Sequence, residues 1–255
     1  MSSEPCKRPP RGRESSARMQ SSPPLFEQVK EFQKIFETGI RHERQPHGLY
    51  VKCGKRVFDC ISSAAGLIAL FPLFTVVAVC IKLTSRGPVF YRQTRVGMEG
   101  HLFQIVKFRS MSKISSHIPP SVTVSGDRRI TQVGKFLRRY KIDELPQLWN
   151  VLRGEMSLVG PRPELPKYVE DYSPEQKQVL CVRPGITDPA SLAYRHEEEL
   201  LSPYEDPELV YRTQILPEKL ALNLEYIRDI SLGTDLGIIF ATVSRSFFHP
   251  VSSPQ

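Results

Sequence analysis

The chain has no cysteine framework. Its five cysteines, Cys6, Cys53, Cys60, Cys80 and Cys181, are an odd number with no CxxC spacing, and two of them lie within an apolar run. That pattern excludes a disulfide scaffold and a cysteine zinc site, and fits thiols that are reduced or buried. Residues 1–24 have almost no large apolar side chain; Ser, Pro and Arg dominate, so they cannot build a core and read as a disordered basic tail. They also lack the apolar stretch of a signal peptide, so export is not indicated. Nucleic-acid-binding motifs are absent too, although a formal net charge of +8 and a pI near 9.3 are what a polyanion binder would carry. The same charge suits an anionic membrane face or a nucleotide-diphosphate substrate, so charge alone leaves these readings open.

At 255 residues and 29.1 kDa, one main core with additions is expected. Over residues 25–50, Phe26, Val29, Phe32, Ile35, Phe36 and Ile40 recur at helical spacing, giving an amphipathic helix and linker that would pack on the domain or lie on a membrane surface. Cys60 to Ile81 are 22 consecutive uncharged residues, enough as a helix for roughly 33 Å. Positive charge flanks the run on both sides, with Lys52, Lys55 and Arg56 before it and Lys82, Arg86, Arg92 and Arg95 after, so charge bias selects no orientation. Pro72 removes a donor and disfavours the helical conformation at Phe71, which predicts a kink there. Segment 51–86 then reads as a helix that enters, bends and returns, the alternative being a kinked spanning helix. Next, Pro88 to Gln93 and His101 to Ser110, separated by Gly97 and Gly100, read as a β-hairpin. The two-residue period puts Lys107 and Arg109 on one side of the second strand, with Val106 and Phe108 on the other. Two such cations are often a solvated face.

The densest run of polar detail is Lys141 to Pro163, KIDELPQLWNVLRGEMSLVGPRP. Asp143 and Glu144 precede Pro146, and Leu145, Leu148, Trp149 and Leu152 recur at three and four residues, so the pair is expected at the start of a helix whose other face is buried. An acid there is either a helix cap or a reactive centre beside an anion-attracting terminus. Arg138 and Arg139 stand just ahead, and cations so close keep carboxylates ionised and surround a phosphate with positive charge. Arg162 lies between Pro161 and Pro163: an exposed arginine in a proline-rich turn, or a fork aimed by a stiff backbone.

That run, together with KRVFD at Lys55 to Asp59, GPVFYRQTRVG at Gly87 to Gly97, KFRSM at Lys107 to Met111 and RPGITDPAS at Arg183 to Ser191, resembles the bacterial sugar transferase superfamily, the monotopic phosphoglycosyl transferases. The likeness runs from about Lys55 to about Val243. It implies an α+β fold: a mostly helical, membrane-associated domain with a re-entrant helix hairpin, a short β-hairpin and amphipathic interfacial helices, residues 87–248 being catalytic. By the same resemblance the protein transfers a sugar-1-phosphate from a nucleotide-sugar donor, a UDP-sugar, to a polyprenyl phosphate acceptor, starting a glycan. Asp143 is then the nucleophile that carries a covalent phosphosugar, and Glu144 helps hold Mg2+. Lys107 and Arg109 would contact the diphosphate, and Arg162 the nucleotide, with Arg138, Pro161, Pro163 and Arg183 completing the substrate site. The implied setting is the cytoplasmic face of a bacterial inner membrane. Partners are the lipid bilayer and, further, a second copy in a homodimer, with no nucleic acid. The competing readings are a catalytically silent membrane scaffold and a basic nucleic-acid-binding protein.

The chain departs from the family pattern in three places. Phe71-Pro72 replaces the usual Ser-Pro at the bend. After RPGIT, a Gly and a QVNGR-like stretch give way to Asp188, Pro189, Ala190 and Ser191, leading to Tyr194 and Arg195. Asn223 stands where an Asp is expected ahead of Tyr226. The identity of the hexose therefore does not carry over. Leu236, Ile238, Ile239, Phe240, Val243, Phe247 and Phe248 make the last helix apolar around much of its circumference, which predicts core packing with part of it in the membrane interface.

Overall fold

The computed structural model describes residues 50–112, 122–124 and 126–248; the tail and the amphipathic segment expected before residue 50 lie outside them. Two apolar helices come first, α1 (Lys55–Ala69) and α2 (Phe71–Thr84), bent by 59° at Leu70. Pro72 sits in the first turn of α2, where a backbone N–H would have no intrahelical acceptor and where its ring stops α1 from continuing. The break is bonded locally: Leu70 N–H reaches Gly66 O at 2.9 Å, and the Thr75 hydroxyl donates to Phe71 O at 3.0 Å. Among the described residues no single helix is long and apolar enough to cross a membrane, and the bent pair is so only when taken together.

Helix α1 inverts the pattern of a soluble helix. Its buried positions are Asp59 and Ser63, whereas Val57, Ile61 and Ile68 are exposed, Ile68 by 77%. Asp59 Oδ1 accepts from Leu158 N–H at 3.0 Å, and Arg56 donates to Val151 O at 2.6 Å and Leu152 O at 2.9 Å. Lys55 Nζ, Tyr50 OH and Tyr226 OH all converge on the Asp235 carboxylate at 2.5–2.6 Å. Polar anchors thus tie the start of α1 to three distant parts of the chain.

Strands β1 (Phe90–Val96) and β2 (Leu102–Phe108) pair antiparallel, Phe90 opposite Phe108 and Val96 opposite Leu102, forming the expected hairpin with shifted ends. Strand β2 is covered on one face along its length and on the other only toward its end, Leu102 and Gln104 being exposed. Phe103 and Ile105 pack with Val151 and Met156; Phe108, on the other face, packs with Val77 and Ile81 of α2 and Leu137. Lys107 shares the parity of Phe103 and Ile105, so it points inward rather than to solvent. Helix α3 (Gln132–Arg139) is capped by the Thr131 hydroxyl, which accepts from Gly134 N–H at 2.9 Å. It lies against the chain beyond β2 so closely that a Cβ on Gly134 would meet Ser110 O at 1.9 Å.

A 3₁₀ segment, Ile142–Gln147, then leads into α4 (Leu148–Arg153), which ends at Gly154 in the left-handed region with φ 84°. The single helix expected here is therefore two segments. Trp149, expected on the buried face, is 50% exposed, because three residues per turn over the first segment shift the phase of everything after it. A parallel pair that no sequence pattern indicated, β3 (Ser157–Val159) with β4 (Gly185–Thr187), joins the acid element to the C-terminal third. That third comprises α5 (Pro189–Ala193), α6 (Glu197–Leu201), α7 (Leu216–Arg228) and α8 (Leu232–Phe248) around a core that includes Tyr168, Leu201, Tyr211, Ile215 and Leu220. Helix α8 buries Ile238 against Val159 and Tyr226 but leaves Leu236, Phe240 and Val243 exposed. The described residues are mostly helical α+β with a short antiparallel hairpin, as expected.

Candidate active site

Lys141, with φ 58°, turns the chain sharply between α3 and the acid segment, and Glu144 N–H closes back on Lys141 O at 3.2 Å. This turn carries Asp143 and Glu144 inward, leaving them only 6% and 8% exposed. Two cations from separate elements meet Glu144: Lys107 of β2 reaches Oε1 at 2.6 Å, and Arg162 donates to Oε1 at 2.7 Å and to Oε2 at 3.5 Å. Asp143 Oδ1, also buried, has no hydrogen-bond partner.

The two adjacent acids consequently differ in proton affinity. Burial would raise Glu144, but Arg162, Lys107 and Lys141 outweigh it and hold the carboxyl well below the usual range. Burial raises Asp143, the charge of Glu144 raises it further, and Lys107, Arg138 and Lys141 offset this only in part. Burial also lowers Lys107 to about 8 against the opposing pull of Glu144. The site thus holds one fully neutralised carboxylate and one with a free lone-pair face, the combination that an oxygen nucleophile at phosphorus would need.

The other expected residues divide. Arg138, in the last turn of α3, lies within electrostatic reach of both acids but bonds Glu198 of α6. Pro161 O accepts from Gly185 N–H at 2.9 Å and Pro163 O accepts from Arg95 at 3.0 Å, so both prolines fix the loop that presents Arg162. Two further expected residues lie elsewhere in the structure, bonded to backbone away from the acid pair. Strand β2 stops at Phe108, and Arg109 beyond it is 7% exposed with Nη2 on Ser85 O and Oγ at 2.8 Å, at the end of the apolar helices rather than beside Lys107. Arg183 donates to Gly154 O at 3.0 Å, supporting the carbonyl end of α4.

Several groups around Arg162 were not assigned to the site from sequence. Lys219 of α7 is buried on Glu197 at 2.7 Å, 5.2 Å from the Tyr211 ring centroid, while Tyr211 OH donates to Glu164 Oε1 at 2.7 Å. Asp188 is fully buried and caps α5 by accepting from Ser191 N–H at 2.9 Å. Asp188 stands out in sequence only as a departure from the family pattern, and the acidic run Glu197 to Glu199 is visible there without naming its partners.

Among the described residues no group of three or more His, Cys, Asp or Glu converges as a metal cage. The donor set still fits magnesium, which needs one or two carboxylates and keeps waters or substrate oxygens in its other positions. Asp143 Oδ1 is orphaned, and Glu144 Oε2, met only by Arg162 at 3.5 Å, keeps a lone pair, whereas Oε1 accepts from both Lys107 and Arg162.

The sequence profile of the bacterial sugar transferases matches residues 50–249. The chain is 41% identical over 217 residues to the undecaprenyl-phosphate glucose phosphotransferase of Komagataeibacter xylinus, covering 81% of this chain and 38% of that protein. It is 42% identical over 194 residues to the UDP-glucose:undecaprenyl-phosphate glucose-1-phosphate transferase of Caulobacter vibrioides, covering 74% and 68%. It is 36% identical over 192 residues to the UDP-N-acetylgalactosamine-undecaprenyl-phosphate N-acetylgalactosaminephosphotransferase of Aeromonas hydrophila, covering 74% and 42%. The chain therefore spans about 40% of the length of two of these three relatives.

Proposed function

The chain belongs to the bacterial sugar transferase family, and from that premise we propose that it moves a sugar-1-phosphate from a UDP-sugar to a membrane polyprenyl phosphate. The names of its relatives support the donor and acceptor classes, and because those names differ in the sugar, the hexose stays open. The observation that carries the reading is the asymmetry of the acid pair: Asp143 Oδ1 is buried and unbonded while Glu144 is held by Lys107 and Arg162.

In this reading an Asp143 carboxylate oxygen attacks the sugar-linked phosphorus. The bond from that phosphorus to the bridging oxygen breaks, and UMP leaves with that oxygen and its electron pair. An oxygen of the polyprenyl phosphate then attacks the phosphosugar-enzyme, forming the lipid diphosphosugar and returning Asp143 as a carboxylate. Arg162 and Lys107 hold Glu144 in place and keep positive charge beside the transferred phosphate. Glu144 would hold magnesium, which when bound neutralises phosphoryl oxygens.

The same proposal places the protein on the cytoplasmic face of the membrane with α1 and α2 as a re-entrant hairpin. Both ends of the bent pair are fastened to one body: Lys55, Arg56 and Asp59 at the start, and Ser85, through Arg109, at the end. Between them most exposed side chains are apolar, including Ile68, Phe71 and Val76, with Lys82 exposed in the last turn of α2, and Phe240 of α8 adds to the apolar surface. The test is to incubate the detergent-solubilised full chain with polyprenyl phosphate and a panel of nucleotide sugars. UMP release that requires one of those sugars supports the reading, and its absence across the panel overturns it.

A further inference from the structure

Adjacent acids of α6 do two different jobs. Glu197 pairs with Lys219, whose side chain is 7% exposed, in a contact shielded by the Tyr211 ring. Glu198 pairs with Arg138 at the rim, where the two side chains are 25% and 42% exposed. Arg138 is also the cation that approaches the acid pair from α3, with Asp143 and Glu144 next after Glu198 among the anions that act on it. A carboxylate from α6 thus occupies the guanidinium that also acts on the unbonded Asp143.

A half-buried pair at the rim is held less firmly than an enclosed one, because water and salt still reach its Glu198 side. A donor diphosphate brings more charge and a pair of oxygens matched to the guanidinium fork, so it competes well for Arg138. Lys219 is too enclosed to exchange in this way, and its bond to Glu197 holds α6 in place while the neighbouring side chain swings. Resting on the proposed transferase reading, we propose that Glu198 is a positioning residue: it keeps Arg138 beside Asp143 while the site is empty and yields it to the donor phosphate. Glu198 is then an internal competitor of the substrate, and the site accepts the phosphate by exchange of anions rather than by desolvating a bare cation.

The alternative is that the Glu198 tie merely fastens α6 to α3. Calorimetric titration of the full chain in detergent with UDP, which cannot transfer, separates the two, with steady-state turnover of the active nucleotide sugar measured beside it. For an internal competitor, Glu198→Gln should bind UDP about two- to fivefold more tightly, the size expected when a rim ion pair is removed. The donor KM should fall by the same factor with kcat at or below wild type. Glu198→Asp should restore wild-type values, and in an Arg138→Gln background Glu198→Gln should change nothing. Unchanged or weaker UDP binding by Glu198→Gln, in a protein that still folds and turns over, overturns the proposal. So does tightening that persists without Arg138. If wild type turns over no nucleotide sugar, the transferase reading fails and this inference goes with it.

Discussion

Lys107 Nζ lies 2.6 Å from Glu144 Oε1, and with this bond made, Asp143 Oδ1 remains without one. Parity along β2 sends Lys107 inward, and the left-handed turn at Lys141 brings Glu144 to meet it. The cation is used on one acid, and the neighbouring acid is left available for chemistry.

Asp143→Asn keeps the shape of the side chain and removes the nucleophilic charge. Transfer should be abolished with folding and membrane association intact, whereas turnover within tenfold of wild type would exclude Asp143 as nucleophile. With labelled donor and no acceptor, wild type should carry label on the Asp143 peptide and the variant none. Kinetics over both substrates should give parallel double-reciprocal lines, and intersecting lines would indicate a ternary complex instead.

Glu144→Gln leaves Lys107 and Arg162 buried without their counter-charge. Breaking such a pair costs about 3–5 kcal/mol when fully enclosed, and about half of that is expected for these partly exposed cations. Thermal unfolding measures the loss, and an unchanged melting temperature would contradict the pairing. The residual transfer rate should rise with added magnesium.

Lys107 titrates at about 8 in the folded chain. Its ammonium is lost as pH rises through that value, so kcat/KM should fall on the alkaline side of pH 8. The sign for stability is opposite: a lysine lowered from 10.5 binds fewer protons folded than unfolded, so this group's contribution improves as pH rises from about 8 toward 10.5. In Lys107→Arg the alkaline limb should move beyond pH 9; a limb that stays at 8 assigns it to another group.

Arg109 and Lys107 should separate by phenotype. Arg109→Lys loses the Nη2 that bonds both Ser85 O and Oγ, which should lower thermal stability and weaken membrane extraction resistance with donor KM unchanged. Lys107→Ala should raise donor KM or abolish transfer. Equal KM effects from the two would return Arg109 to the substrate site.

For the bent helices, tags placed before Lys52 and after Arg86 should both react with impermeant reagents from the cytoplasmic side alone. Labelling on opposite faces would establish a span. Pro72→Ala restores a donor and removes the steric stop, so a fraction of molecules should shift toward the straight, spanning form.

What the sequence determined on its own is local. Alternation and two glycines define the hairpin, Pro72 marks the bend, and the adjacent acids, the Arg between prolines and the five motifs identify the family and the candidate nucleophile. These are legible because propensity, parity and ring sterics act over a few residues. The exposure of Trp149 was not, since a 3₁₀ segment before α4 shifts the helical phase by an amount no periodicity count contains. Nor was the separation of Lys107 from Arg109, which turns on where β2 ends and which neighbour, Glu144 or Ser85, is packed there. The parallel β3–β4 pair and the Arg138–Glu198 contact join residues 28 and 60 positions apart. Only the tertiary structure decided which acid is neutralised and which stays free, because ion pairing depends on distance and desolvation between elements that nothing in the local sequence brings together.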